Sequence, residues 1–186
     1  MSQKSETRAQ LEKEAHIERQ KIHEGRIITL AQDQIQYENG QEKTFDIVLH
    51  PGAVAMIPIN AEGKMILVKQ WRRAARQILL ELPAGTLEAA EDPLECAQRE
   101  LQEEIGFEAR SITSLGGFFT APGFCNEYIY LFLAKDLHPN PLVGDDSEEI
   151  DTVALTLEEA MEMIDQNEIV DAKTIAGIYR YNGIVS

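Results

Sequence analysis

Three glutamates, Glu100, Glu103 and Glu104, fall within five residues. On a helix Glu100 and Glu104 share a face one turn apart, with Glu103 beside them. Like charges at this spacing repel, each neighbouring pair costing about 0.2–0.5 kcal/mol on an exposed helix. Their mutual field also raises at least one pKa unless a cation is near. A hard divalent cation with oxygen ligands removes both penalties. Arg99 lies four residues before Glu103 and can orient one carboxylate from the side. Taken alone, these residues also fit a solvated acidic helix face held by Arg99.

The rest of the chain narrows the choice. Its 186 residues carry 32 Asp and Glu against 17 Lys and Arg, a formal net charge of −15. So acidic a protein is a poor binder of nucleic acid or anionic membrane through its overall field, but it attracts cations. With 44% hydrophobic residues a single globular domain is expected. No apolar run approaches the roughly 20 residues of a spanning helix. Residues 1–24 lack an apolar signal-peptide core, and Cys96 and Cys125 are too few for a disulfide framework. A cytoplasmic protein follows.

The elements that must position the glutamates can be read from punctuation and period. Asp92, Pro93 and Glu95 form the start of a helix, as N-cap, first helical residue and capping-box partner. Leu94, Ala97, Leu101 and Ile105 make its apolar stripe, and Gly106 stops it. Upstream, residues 1–24 read as a polar tail or short surface helix. Residues 25–50 form a β-hairpin region, with strands at Arg26–Gln32, Gln34–Glu38 and Thr44–His50 around the Asn39-Gly40 turn. Ala53–Ile59 and Lys64–Gln70 read as a second hairpin across Asn60–Gly63, and Ile78–Leu82 as a further strand ended by Pro83-Ala84-Gly85. Strands return at Ser111–Phe119 and Glu127–Ala134, a loop covers Asp136–Asp146, and a short strand Thr152–Leu155 precedes two helices, at Thr156 and at Ala172–Tyr181. Strands first, a helix inserted among them and two closing helices imply an α+β fold, with a mixed sheet between helices over residues 51–186.

Extended outward, the spacing Gly85-x5-Glu91-x7-Arg99-Glu100-Leu101-x-Glu103-Glu104-x-Gly106-Phe107 resembles the Nudix box, Phe107 replacing a bulky aliphatic residue. The resemblance implies a Mg²⁺-dependent hydrolase of diphosphates, with Mn²⁺ as a possible substitute. It implies metal binding by Glu100, Glu103 and Glu104, joined by the backbone carbonyl of Ala84. Glu91 becomes structural or a secondary metal contact. A small anionic substrate is then tolerated by an acidic protein because the cation bridges the two.

Three further segments resemble the ADP-ribose pyrophosphatase branch of that family: Glu81-Leu82-Pro83-Ala84-Gly85, Val68-Lys69-Gln70-Trp71-Arg72, and Pro122-Gly123 followed by Glu127. Trp71 replaces the branch's Tyr, and Ala121 replaces its Ser. The resemblance implies that Arg72, and less directly Arg76, grip phosphate, with Glu81, Pro122 and Glu127 on the substrate side. Guanidinium forks suit phosphate. It also places the general base in the loop holding Asp145, Asp146, Glu148 and Glu149, at Glu148 or Asp146, with Glu103 and Glu127 next in line. ADP-ribose is the implied substrate, giving AMP and ribose 5-phosphate. Another nucleoside diphosphate sugar such as GDP-mannose, and a catalytically silent ligand-binding module, are the competing readings. Family likeness further implies a homodimer that exchanges the strands of residues 26–50.

Overall fold

The structure, a computed structural model, describes residues 3–142 and 151–185. Its chain separates into two compact units, Met1–Pro51 with Ala121–Glu127, and Gly52–Thr120 with Tyr128–Ser186. Among the described residues no helix is long and apolar enough to cross a membrane.

In the first unit, helix α1 (Gln3–Glu14) precedes a three-stranded antiparallel sheet of β1 (His16–Glu24), β2 (Thr29–Gln36) and β3 (Glu42–Leu49), in that order. The Asn39-Gly40 turn forms as expected. Gly40 takes φ 80°, and the Asn39 side chain accepts from the Gln41 N–H at 3.0 Å. Within residues 1–24, Gln3–Glu14 is a helix as one of the two expectations had it, but His16–Glu24 is a strand. Apart from Ile17 and Ile22 its side chains are polar on both faces and carry no alternation, so pairing with β2 defines it. Arg19 opposite Asp33 grips that carboxylate with two bonds of 2.6 and 2.7 Å. The two strands expected between Arg26 and Glu38 are one, because Asp33 is a buried ion-pair partner within a strand rather than a break. Ala121–Glu127 belongs to this unit through backbone bonds from Val48 to Phe124 (2.7 Å) and from Asn126 to Val48 (3.2 Å).

The second unit holds two sheets. One orders as β7 (Ala84–Thr86), β4 (Ala53–Pro58), β9 (Tyr128–Pro139) and β8 (Phe107–Phe119); the other as β10 (Asp151–Leu155), β5 (Met65–Arg72) and β6 (Gln77–Glu81). Strand β4 is buried throughout and runs parallel to β9, which is why it reads as a continuous apolar run. Its two faces serve two cores. Val54 and Met56 pack with Cys96, Ala97, Leu101 and Ile105 of helix α2 (Pro93–Glu104) and its end. Ala55 and Ile57 pack with Leu82, Leu131, Ala160 of helix α3 (Leu157–Asp165) and Ile178 of helix α4 (Ala172–Val185). A mixed sheet between helices is therefore the observed architecture.

Several local expectations are corrected here. The Asn60–Gly63 turn joins β4 and β5, but beyond a single bridge, Ile59 with Met65, the strands diverge into different sheets. The apolar runs Ala53–Pro58 and Met65–Val68 gave no sign of which neighbour each would take. Leu94 is 48% exposed, and Cys96 takes its place in the core. Asp92 caps α2 by accepting from Leu94 N–H at 2.8 Å, without the Glu95 reciprocal bond; the full capping box occurs instead at Thr156 and Glu159. Strand β9 runs on to Pro139 past Asp136, which takes a φ of 54° within the strand. Helix α4 continues through Gly183.

Candidate functional site

Strand β7 is three residues long and lies at the edge of its sheet, against α2. Met56 N–H bonds the Pro83 carbonyl at 2.9 Å, and Ala55 pairs with Ala84. This register turns the polar groups of Ala84 away from β4. Its N–H there donates to Glu104 Oε2 at 2.9 Å. Gly85 follows, and an added Cβ would lie 1.8 Å from Glu100 Cδ and 2.0 Å from its Oε1. The Glu100 carboxylate thus fills the volume a side chain at 85 would need, so only glycine lets strand and glutamate approach.

Arg99 is the hub of the outward side. It binds Glu91 at 2.9 and 3.1 Å, Glu100 at 2.7 Å and Glu103 at 3.0 Å. Its guanidinium holds Glu91, 13% exposed, down to about 2, against the opposing effect of burial. Glu91 also accepts from the Glu88 N–H at 2.9 Å, which ties the loop before α2 to the hub. Glu91 and Arg99 are therefore a built structural pair.

Glu104 differs. Burial pushes its carboxyl up to about 7, and the Ala84 N–H offsets only part of that. Burial likewise raises Glu100, with Arg99 opposing. Among the described residues no three His, Cys, Asp or Glu side chains converge tightly enough to enclose a cation, because Arg99 draws Glu100 and Glu103 to itself. The donor set nonetheless fits a hard divalent ion. It offers carboxylate oxygens, a sheet-edge backbone carbonyl, and a half-buried acid with no direct ion-pair partner among the described residues.

Arg72 heads a neighbouring cluster, near enough for its charge and that of Lys173 to act on Glu104. Arg72, at the end of β5, holds Glu81 with two bonds of 2.7 Å. Glu81 is 1% exposed, and its buried ammonium partner is Lys173 of α4. Burial pushes Glu81 upward, but Arg72 and Lys173 outweigh it and hold the group below its ordinary range. Lys173 also reaches Asp171 at 3.0 Å. The Thr174 hydroxyl donates to Asp171 at 2.6 Å and accepts from the Leu82 N–H at 2.8 Å. This network joins the start of α4 to the β6–β7 corner. Lys173, Asp171 and Thr174 were missed in the sequence; the one signal was a lysine beside the apolar stripe of the last helix.

The remaining candidates disperse. Arg76 lies in the β5–β6 turn at φ 57° with its side chain exposed. Pro122 and Glu127 belong to the first unit, where Glu127 sits 3.6 Å from His50 Nε2. Asp145, Asp146, Glu148 and Glu149 lie outside the described residues. A 290 Å³ cavity lined by Asn60, Ile66, Ile105, Phe107 and Leu137 includes none of the candidate residues.

Comparison with known proteins gives a consistent result. A family model described as NUDIX domain matches residues 49–177. The ADP-ribose pyrophosphatase of Bacillus subtilis is 38% identical over 167 residues, 89% of this chain and 90% of that protein. The methanol dehydrogenase activator of Bacillus methanolicus is 41% identical over 167 residues, with the same shares covered. A solved structure titled as an ADP compounds hydrolase superposes with TM-score 0.83 at 23% identity, over 92% of this chain and 94% of its own. At that identity it bears on the fold.

Proposed function

The chain belongs to the Nudix family, and from that premise we propose that it hydrolyses the diphosphate bond of ADP-ribose to AMP and ribose 5-phosphate. The observation that carries the reading is Glu104, a half-buried, desolvated carboxylate beside Glu100 with a backbone N–H but no ion-pair partner among the described residues. Glu100, Glu103, Glu104 and the Ala84 carbonyl would hold a divalent cation, Mg²⁺ with Mn²⁺ as substitute. When bound it supplies charge neutralisation of the diphosphate and activation of water. Arg99 steers Glu100 and Glu103, and Gly85 lets the Glu100 carboxylate lie against the strand. Arg72 meets a phosphate and Glu81 aims it, with Arg76 as a second, outer contact. Glu148 or Asp146 accepts the proton of the attacking water, with Glu103 as the next candidate.

The organism-level setting follows the same reading: a cytoplasmic enzyme acting as a homodimer through the strand region of residues 26–50. In support, Ile27, Ile28 and Phe45 expose 45%, 43% and 38% of their surface. The test is phosphate release with a coupled phosphatase over ADP-ribose, GDP-mannose and other nucleotide sugars, with and without Mg²⁺. Preference for ADP-ribose supports the reading. Preference for GDP-mannose replaces the substrate. Binding of ADP-ribose without turnover assigns a silent ligand-binding module.

A further inference from the structure

Arg72 commits its Nε hydrogen and one Nη2 hydrogen to Glu81, so this side-on edge of its fork reaches a phosphate only by leaving the carboxylate. Its side chain is 40% exposed, so it can swing outward, whereas Glu81 at 1% cannot follow. A departing Arg72 would leave Glu81 buried and anionic, and a lone buried charge is strongly unfavourable. The structure supplies a second cation at that carboxylate. Lys173 contacts Glu81 Oε2 from the side of α4, with 10% of its side chain exposed. It is held there by Asp171 at 3.0 Å, itself fixed by the Thr174 N–H at 3.0 Å and hydroxyl at 2.6 Å. Thr174 is anchored in turn on the Leu82 N–H, next in sequence to Glu81. Gly177 lets α4 come this close, since a Cβ there would lie 2.5 Å from Leu82 Cδ1.

We propose that Lys173 is the standing counter-ion of Glu81, a positioning residue that frees Arg72 to exchange from the carboxylate to a substrate phosphate. The proposal rests on the phosphate role given to Arg72 above. Lysine suits the standing role because its ammonium is a compact charge that satisfies one oxygen. Arginine suits the travelling role because its fork fits carboxylate and phosphate alike. Without Lys173, Glu81 depends on Arg72 alone and holds it back.

The test reads KM and kcat for ADP-ribose with Mg²⁺. In parallel, inorganic pyrophosphate is titrated with Mg²⁺ and followed by the fluorescence of Trp71, the one tryptophan, adjacent to Arg72 and 51% exposed. Lys173→Met should raise KM and the pyrophosphate Kd about tenfold, with kcat within about threefold, the pattern of a lost binding interaction. Lys173→Arg should stay near wild type. Glu81→Gln/Lys173→Met should lower both constants at least about threefold relative to Lys173→Met alone, because no buried anion then retains Arg72. A merely structural lysine would lower Tm without this reversal. Lys173→Gln, which keeps a donor to Glu81, serves if the Met variant does not fold and should raise the same constants. The proposal is overturned if KM and pyrophosphate Kd stay within twofold of wild type in every folded Lys173 variant. It is equally overturned if the double variant binds no better than the single. A wild-type protein that turns over no nucleotide sugar sinks the proposed activity alone, and the pyrophosphate titration still decides the arginine exchange.

Discussion

Glu81 is buried and Glu104 half-buried; the two carboxylates flank one strand corner and are treated in opposite ways. Glu81 ends β6 with two cations of the protein's own, and its pKa is held below the ordinary range. Glu104 ends α2 with one backbone N–H, and burial lifts it to about 7. Burial therefore does not separate a structural acid from a functional one. Direct pairing does: Glu81 is bonded to two cations, whereas Arg72 and Lys173 act on Glu104 only at a distance, which leaves room for a cation from outside.

Chelation should break the contrast most sharply. Turnover of ADP-ribose should disappear in EDTA and return with Mg²⁺ or Mn²⁺; full activity in chelator would remove Glu104 from its role. Next in size is Glu104→Gln, with kcat down at least about a hundredfold, roughly 2.7 kcal/mol, measured by steady-state kinetics.

The same variant carries a stability signature of definite sign. Glu104 has a folded pKa raised above its unfolded value, so its contribution is fully present below the unfolded value and is lost as pH rises through about 7. In chelator, Glu104→Gln should thus gain on wild type by ~1–3 kcal/mol at pH 8 relative to pH 5. Thermal melts that show the same difference at both pH values would mean that Glu104 is not buried as an acid.

Glu81→Gln should do the reverse, costing about 3 kcal/mol of stability by leaving two cations beside a neutral amide, while kcat falls less than in Glu104→Gln. Denaturant melts with kinetics check this, and a kcat loss matching that of Glu104→Gln would erase the distinction. The smallest effect is expected at Arg72. Arg72→Ala should raise KM about tenfold, roughly 1.4 kcal/mol, and Arg72→Lys should recover only part, the fork being lost. An unchanged KM in both would confine Arg72 to holding Glu81.

How much of this was legible in sequence depends on where each partner lies. The α2 segment was readable because cap, stripe, glutamates and stop sit within a few turns, and local spacing encodes their geometry. Arg72 and Glu81 were both singled out, yet their bond to each other was not, because it depends on the β5–β6 register, Val68 opposite Glu81 and Arg72 opposite Gln77. Lys173 was invisible because its partner is 92 residues away. Strand β1 was invisible for another reason: its fold signal is in backbone pairing, and its side chains repeat no period. Leu94 misled because it matched the helical spacing while facing water.

Gly85 carries a consequence for how such a protein can drift. With Glu100 occupying the space of its missing Cβ, the two positions share one volume and cannot vary independently. Alanine at 85 would displace the carboxylate rather than the backbone, so its damage should be partly reversed by Glu100→Asp, one methylene shorter. Selection on this corner therefore acts on a pair, and a lineage that changes one member is steered toward a particular change in the other.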